Sequence, residues 1–412
     1  MIWPSTCRPP TLIALDSTVH SLQDLHWYWT DKIYLWKQCS ATIARTFLSQ
    51  FRIYRFKGAH AVKSLFSMEK PVRHLTVLLL PLLFILPDFV QAETQVVNIY
   101  SARKEALILP LLEKFKKQTG IDFKLVTGKA DTLLKRLEME GKLSPADVFI
   151  TVDAGRLHRA KISGVLQPVN NAELKKRIPH NLRDVDNYWF GLSQRTRPLI
   201  YATERVTEKD LSSYEALADA KWKGRICVRS SSNIYNMSLV ASMIASNGIE
   251  KTEAWVRGLV ANFARPPVGG DTDQIKAVAA GQCDLTIANT YYLGRLILSK
   301  KASDNAVANK VAVFNPNQGE DDRGVHVNVS GIGITRYAKN VDAANRLLEF
   351  LVSDDAQAWY AEVNSEYPVV EGVALSKTVE SFGEFKADSV YLGILGQNNL
   401  AAVKLMDRAG WR

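Results

Sequence analysis

Leu285-Thr286-Ile287-Ala288-Asn289-Thr290-Tyr291-Tyr292-Leu293-Gly294-Arg295 reads as a strand running straight into the first turn of a helix. Apolar residues precede Asn289 and Thr290, which are good helix-capping types, and an apolar helical spacing follows. The stretch from Arg229 to Leu239 has the same grammar, with Ser231, Ser232 and Asn233 at the cap and Tyr235 in the first turn. A tyrosine so placed feels the positive end of the helix dipole, which favours its anionic form. Three phenolates meeting at one point offer hard, negatively charged oxygen, the donor that a hard trivalent cation such as ferric iron prefers.

The same strand-to-helix alternation extends outward from these junctions. Strands are predicted over 96–100, 122–126 and 146–150, with helices over 104–119, 130–141 and 154–163 between and after them. This order means a mostly parallel sheet covered by helices. A long strand over 193–201 leaves that unit, and a second α/β unit begins with a strand over 225–229. It continues through helices after Tyr235 and over 248–262 and 274–281, up to the strand before Asn289. A β-rich stretch follows over 325–334, then helical residues 341–364 and a last helix over 399–409. Two α/β lobes joined by two extended crossings form a hinged pair around a cleft. Ligands of open α/β sheets sit at the carboxyl ends of strands, where helix N-termini point, and Tyr235, Tyr291 and Tyr292 occupy such positions.

The chain of 412 residues is long enough for two ordinary domains. It opens irregularly. Residues 75–90 form a dense apolar run, with Met68, Lys70 and Arg73 ahead of it and Val90-Gln91-Ala92 behind. A basic start, a short apolar core and a small-residue cleavage site make a secretory signal over 68–92, and the run is short for a membrane span. Translation is therefore expected to start at Met68, with residues 1–67 an upstream extension of the gene model. Beyond residue 92 there remain 42 basic and 37 acidic residues, near +5, against +10 for the whole chain. The two signs are interleaved, which argues against nucleic-acid binding. Cys7 and Cys39 fall in the leading segment. Cys227 and Cys283 remain, and an exported chain with two cysteines invites a disulfide between them, two buried free thiols being the alternative.

At its most specific residues the chain resembles the periplasmic ferric-iron-binding proteins of ABC importers, also called bacterial transferrins. The matching pieces are Tyr100-Ser101-Ala102-Arg103, Gly128-Lys129-Ala130-Asp131, Ser144-Pro145-Ala146-Asp147-Val148, Arg229 to Asn233, Asp284 to Tyr292, and His326-Val327-Asn328-Val329-Ser330-Gly331. The resemblance runs from about Val96 to Trp411. It implies a type II periplasmic-binding-protein fold of two lobes, 93–194 with 325–412 and 195–324. It implies a monomer in the periplasm that closes on one ferric ion and hands it to an inner-membrane permease and its ATPase. Tyr235, Tyr291 and Tyr292 become iron ligands, and Arg195 matches the family's anion-binding arginine. Arg295 matches a position just behind the ligands, and Ser232 is a donor to the anion or a helix cap. Some members carry a His-Tyr pair after the first strand. Lys104-Glu105 stands there in this chain, so the pair is absent, and Glu105 is a disfavoured oxygen donor. The subtype resembled uses three tyrosines completed by carbonate, bicarbonate or water. Ferric iron and three phenolates sum to zero, so a further anion needs a positive group, which Arg195 supplies in bidentate geometry. Because free tyrosine titrates near pH 10, binding must displace three protons, and affinity is expected to fall as pH drops.

Tyrosines are most often packing residues with one satisfied hydroxyl, and Tyr100, Tyr201, Tyr337, Tyr360 and Tyr367 are read so. His158, His180 and His326 show no metal-ligand spacing. Arg103 lies toward the cleft or in an ordinary salt bridge. Asp147 belongs to the Ser-Pro-Ala-Asp turn rather than to a carboxylate pair with Asp153. A same-fold binding protein for a phosphorylated compound or polyamine is the other reading, and the absence of an acidic cage weighs against the polyamine. An enzyme is disfavoured, because no Gly-x-Ser-x-Gly elbow, phosphate-binding loop or His-Glu-x-x-His helix occurs.

Overall fold

A computed structural model of the chain describes residues 95–412. The leader at 68–92, the upstream segment 1–67, Cys7 and Cys39 lie outside the described residues.

β1 (Val96–Ser101) and β2 (Asp122–Thr127) pair in parallel across α1 (Leu109–Thr119). After α2 (Ala130–Glu140), β3 (Val148–Val152) pairs parallel with β1 on its other side. The first helix starts later than the predicted 104–119, and Glu105–Leu107 forms only a short 3-10 turn. Pro110 explains this: it lacks an N–H and its ring clashes with the carbonyl four residues back, so it suits a first turn and no later position. α3 (Ala154–Ile162) and α4 (Ala172–Arg177) lead on to β4 (Phe190–Thr196).

The predicted strand over 193–201 is two strands in two sheets. The chain leaves β4, passes Arg197-Pro198 and enters β5 (Leu199–Ala202) of the second sheet. Pro198 donates no ladder hydrogen bond, so the pairing breaks there. The second unit contains β6 (Ile226–Cys227), α5 (Ile234–Asn247), α6 (Ile249–Ala261) and α7 (Asp271–Ala279). It ends with β7 (Leu285–Ile287), α8 (Thr290–Ile297), α9 (Ala302–Ala308) and β8 (Val311–Phe314). The chain then returns through β9 (Val327–Ile334) to the first sheet.

The first sheet has the order β2-β1-β3-β9-β4, with β9 antiparallel to both its neighbours. It is therefore mixed rather than mostly parallel, because β9 arrives from the other lobe and enters from the opposite end. Gly331 makes the central position possible. A Cβ there would stand 2.6 Å from both the Leu157 side chain and the Phe190 carbonyl oxygen. The second sheet runs β6-β7-β5-β8, with β6 parallel to β7. That pairing is what positions the site: α5 follows β6 and α8 follows β7, so both helices begin beyond the same edge of one sheet.

Helical residues 341–364 are also two elements, α10 (Val341–Leu351) and α11 (Asp354–Asn364), separated where the Ser353 hydroxyl accepts from the Ala356 amide. α12 (Lys377–Glu380), α13 (Ile394–Gln397) and α14 (Asn399–Arg408) close the chain. β9 lies in the first sheet, whereas α14 packs on α5 and α6 and α13 touches both α3 and α5. The residues after β9 thus serve both halves. Trp189, Trp222 and Trp411 are fully buried among the aliphatic side chains, each a large apolar surface removed from water.

Candidate functional site

Tyr235 is the second residue of α5, and Asn233 caps that helix by accepting from the Tyr235 amide at 3.0 Å. Ser232 is exposed and pairs its hydroxyl with Ser230 at 2.9 Å, so it is not the cap. Tyr291 and Tyr292 are the second and third residues of α8, with ring centres 4.4 Å apart. Asn289 stands at the N-cap of α8, yet its side chain makes no capping bond. It accepts instead from Arg197 at 2.9 Å and donates to the Tyr291 hydroxyl at 3.2 Å.

The three phenols lie near enough to perturb one another. Burial pushes Tyr291 well above the ordinary tyrosine range, and Tyr235 and Tyr292 push it further, against an opposing Arg195. Tyr292 is raised by burial, then by Tyr235 and Asp271, with Arg229 opposing. The helix dipole was expected to favour the anions. Burial and mutual repulsion oppose it and favour the protonated form of the two phenols of α8.

Guanidinium groups surround the phenols. Arg195 lies over the Tyr235 ring at 5.5 Å, and Arg295 lies 4.8 Å from the Tyr291 ring centre and 5.5 Å from that of Tyr292. Arg197 and Arg229 each stand 5.8 Å from the Tyr235 ring centre. Arg195 is 2 % exposed and donates from Nη1 to Ser330 Oγ at 3.2 Å. Its Nε and Nη2 find no partner among the described residues. A buried guanidinium with two free donors is poised for a bidentate anion.

Other residues singled out from sequence settle into structural roles. Arg103 makes a buried ion pair with Glu366 at 2.6 Å. Asp147 accepts from the amides of Asn98, Lys339 and Asn340 and so pins two loops. Asp153 caps α3 from a left-handed backbone (φ 85°), and its buried carboxylate accepts from Ser238 of α5 and Asn328 of β9. Glu105 is exposed in its 3-10 turn. Among the described residues no three His, Cys, Asp or Glu side chains group to hold a metal. The sulfurs of Cys227 and Cys283 stand at disulfide distance. Reasoning from sequence missed Arg197, Asn236 and Asp271, all buried behind the tyrosines. Their types are unremarkable singly, and only the fold brings them together.

Residues 111–387 match the family described as bacterial extracellular solute-binding protein. Iron uptake protein A1 of Synechocystis is 50% identical over 320 residues, covering 78% of this chain and 88% of that protein. The major ferric iron-binding protein of Neisseria meningitidis serogroup B is 26% identical, over 77% of this chain and 93% of its own length. A Trichodesmium protein solved in complex with iron and citrate superposes with a TM-score of 0.75 at 50% identity, covering 77% of this chain and 100% of that one. The chain belongs to the bacterial extracellular solute-binding proteins, on the branch that holds these iron-uptake proteins, and has their two-lobed type II fold. That branch consists of transport proteins, not enzymes.

Proposed function

We propose that this chain captures ferric iron through the phenolate oxygens of Tyr235, Tyr291 and Tyr292 and passes it to an ABC permease and its ATPase. The names of its iron-uptake relatives support iron as the cargo, and a Serratia marcescens relative named an Fe(3+)-binding periplasmic protein supports the periplasm as the place. The observation that carries the reading is the gathering of three tyrosines from two helix starts beside a buried arginine with two free donors.

The chemistry follows from the charges. Empty, the site keeps its buried phenols protonated, because anions there would be desolvated and would repel one another. A trivalent cation reverses both penalties and takes the place of the protons. Arg195 then holds an accompanying anion, carbonate or bicarbonate, through Nε and Nη2, while Arg295 lies against the two rings of α8 and counters their charge. Ser232, exposed at the start of α5, is a further donor to that anion. Softer divalent ions gain less from three hard oxygens, so the donor set itself selects ferric iron.

Metal analysis and a visible spectrum of the purified protein, with and without bicarbonate, test this. One ferric ion per chain and a phenolate-to-iron charge-transfer band are expected. Tyr291→Phe and Tyr292→Phe should each weaken or abolish that band. A protein that stays colourless and iron-free under saturating ferric citrate would sink the proposal.

A further inference from the structure

Asp271 opens α7 and is fully buried. Its Oδ2 accepts from Arg197 Nη1 at 2.8 Å and from the Asn289 backbone amide at 3.2 Å, and its Oδ1 accepts from Arg229 Nη1 at 3.2 Å. Arg197 is itself 1 % exposed and sits where the chain crosses from β4 to β5. From there it donates to Asn289 at 2.9 Å and to Asn236 at 2.7 Å. Its own amide donates to the His326 carbonyl at 3.0 Å, on the second crossing. Asn236, the residue after Tyr235, returns its amide to the carbonyls of Arg229 and Ser230. Asn289 reaches forward to the Tyr291 hydroxyl.

One carboxylate thus joins both interlobe crossings to the start of α5 and the start of α8. Burying an ion pair is costly, and apolar packing of similar volume is often as stable or more so. What the pair supplies here is fixed direction. The hydrogen bonds to Asn236 and Asn289 set the positions of atoms within two residues of a tyrosine. Arg229, held by Asp271, is also the cation standing against Tyr292.

We propose that Asp271 is a positioning residue for the tyrosine site: acting through Arg197, Asn236 and Asn289, it sets where Tyr235 stands relative to Tyr291 and Tyr292. This rests on the iron reading of that site. Arg197 carries the constraint to the crossing, so the spacing of the phenols is tied to the geometry of the hinge. Asp271 touches neither cargo nor anion in this account.

The test is Asp271→Asn, which keeps the shape and one acceptor but removes the charge that holds two arginines. Ferric affinity, from competition with a chelator, is expected to fall roughly ten- to a hundredfold, the loss typical when a group supporting metal ligands is removed. The charge-transfer band should shift as well, a change that lost folding stability alone does not produce. An unshifted band in folded Asp271→Asn overturns the proposal, whatever happens to its melting temperature. Should that variant fail to fold, Asn236→Ala cuts only the branch to α5, and there too a shifted band supports the proposal and an unshifted one overturns it. Wild-type protein without any iron band fails the underlying reading instead, so the two failures are distinct.

Discussion

Arg195 lies over the ring of Tyr235, its guanidinium carbon 5.5 Å from the ring centre, and two of its three nitrogens are unpartnered among the described residues. A cation so placed serves two ends. It stabilises negative charge at the phenols, and it presents a planar pair of donors that a lysine cannot imitate. Arg195→Lys should therefore retain the positive charge yet lose the anion. The expected outcome is an iron affinity that no longer responds to bicarbonate, measured by chelator competition with and without it. An unchanged bicarbonate response in the lysine variant counts against the assignment.

Cys227 ends β6 and Cys283 lies two residues before β7, the strand leading to Tyr291, so a bond between them would tie together the two strands from which the tyrosine helices start. Closing a loop of 56 residues restricts the unfolded chain by about 4 kcal/mol on a chain-entropy account. Replacing both cysteines by serine should lower unfolding free energy by about 2–4 kcal/mol in denaturant titration. Thiol counting on the unfolded chain beyond residue 92 is the simpler check. Two free thiols without prior reduction would exclude the bond.

The tyrosine junctions were legible because their signal is local: apolar strand, capping residues and helical spacing lie within about a dozen positions at each. The two-lobed plan was legible for the same reason, as alternation along the chain. What escaped depends on distant partners. Nothing near Val327 announces that β9 will be inserted antiparallel between β3 and β4, because that depends on where the chain returns from. Arg197 and Asp271 are 74 positions apart, and each alone looks like an ordinary surface charge. At an exposed helix end the dipole favours a phenolate, but burial, which the sequence does not display, opposes that for Tyr291 and Tyr292.

Gly294 lies in the helix of the tyrosine pair, one turn beyond it. A Cβ at that position would stand 2.5 Å from the Ser365 Cβ and 2.6 Å from its hydroxyl oxygen. Ser365 cannot retreat easily, since it is buried and already in a left-handed backbone (φ 55°). Gly294→Ala should therefore displace α8 from α11, costing about 1–3 kcal/mol of stability for the overpacking. Iron affinity should fall with it, because the helix that moves carries Tyr291 and Tyr292. Equal melting temperatures for variant and parent would show that the contact relaxes without cost.

Glu253 of α6 joins Arg408 of α14 and Arg257 one turn along its own helix, the latter at 2.7 Å. These arginines, Arg408 first, hold its carboxyl down at about 2, against about 4.3 for glutamate in an unfolded chain. The folded state thus takes up this proton less readily than the unfolded one. Its contribution to stability is complete above the unfolded value and disappears as pH falls from about 4.3 toward the folded value of about 2. Glu253→Gln should accordingly melt below the parent protein at pH 7, by a small margin because the pair is solvent-screened. The two melting curves should converge as pH is lowered through that window. Added salt at pH 7 should narrow the same gap. A difference in melting temperature that stays constant from pH 7 down to pH 2 would mean that packing of the side chain, not its charge, holds α14 against α6.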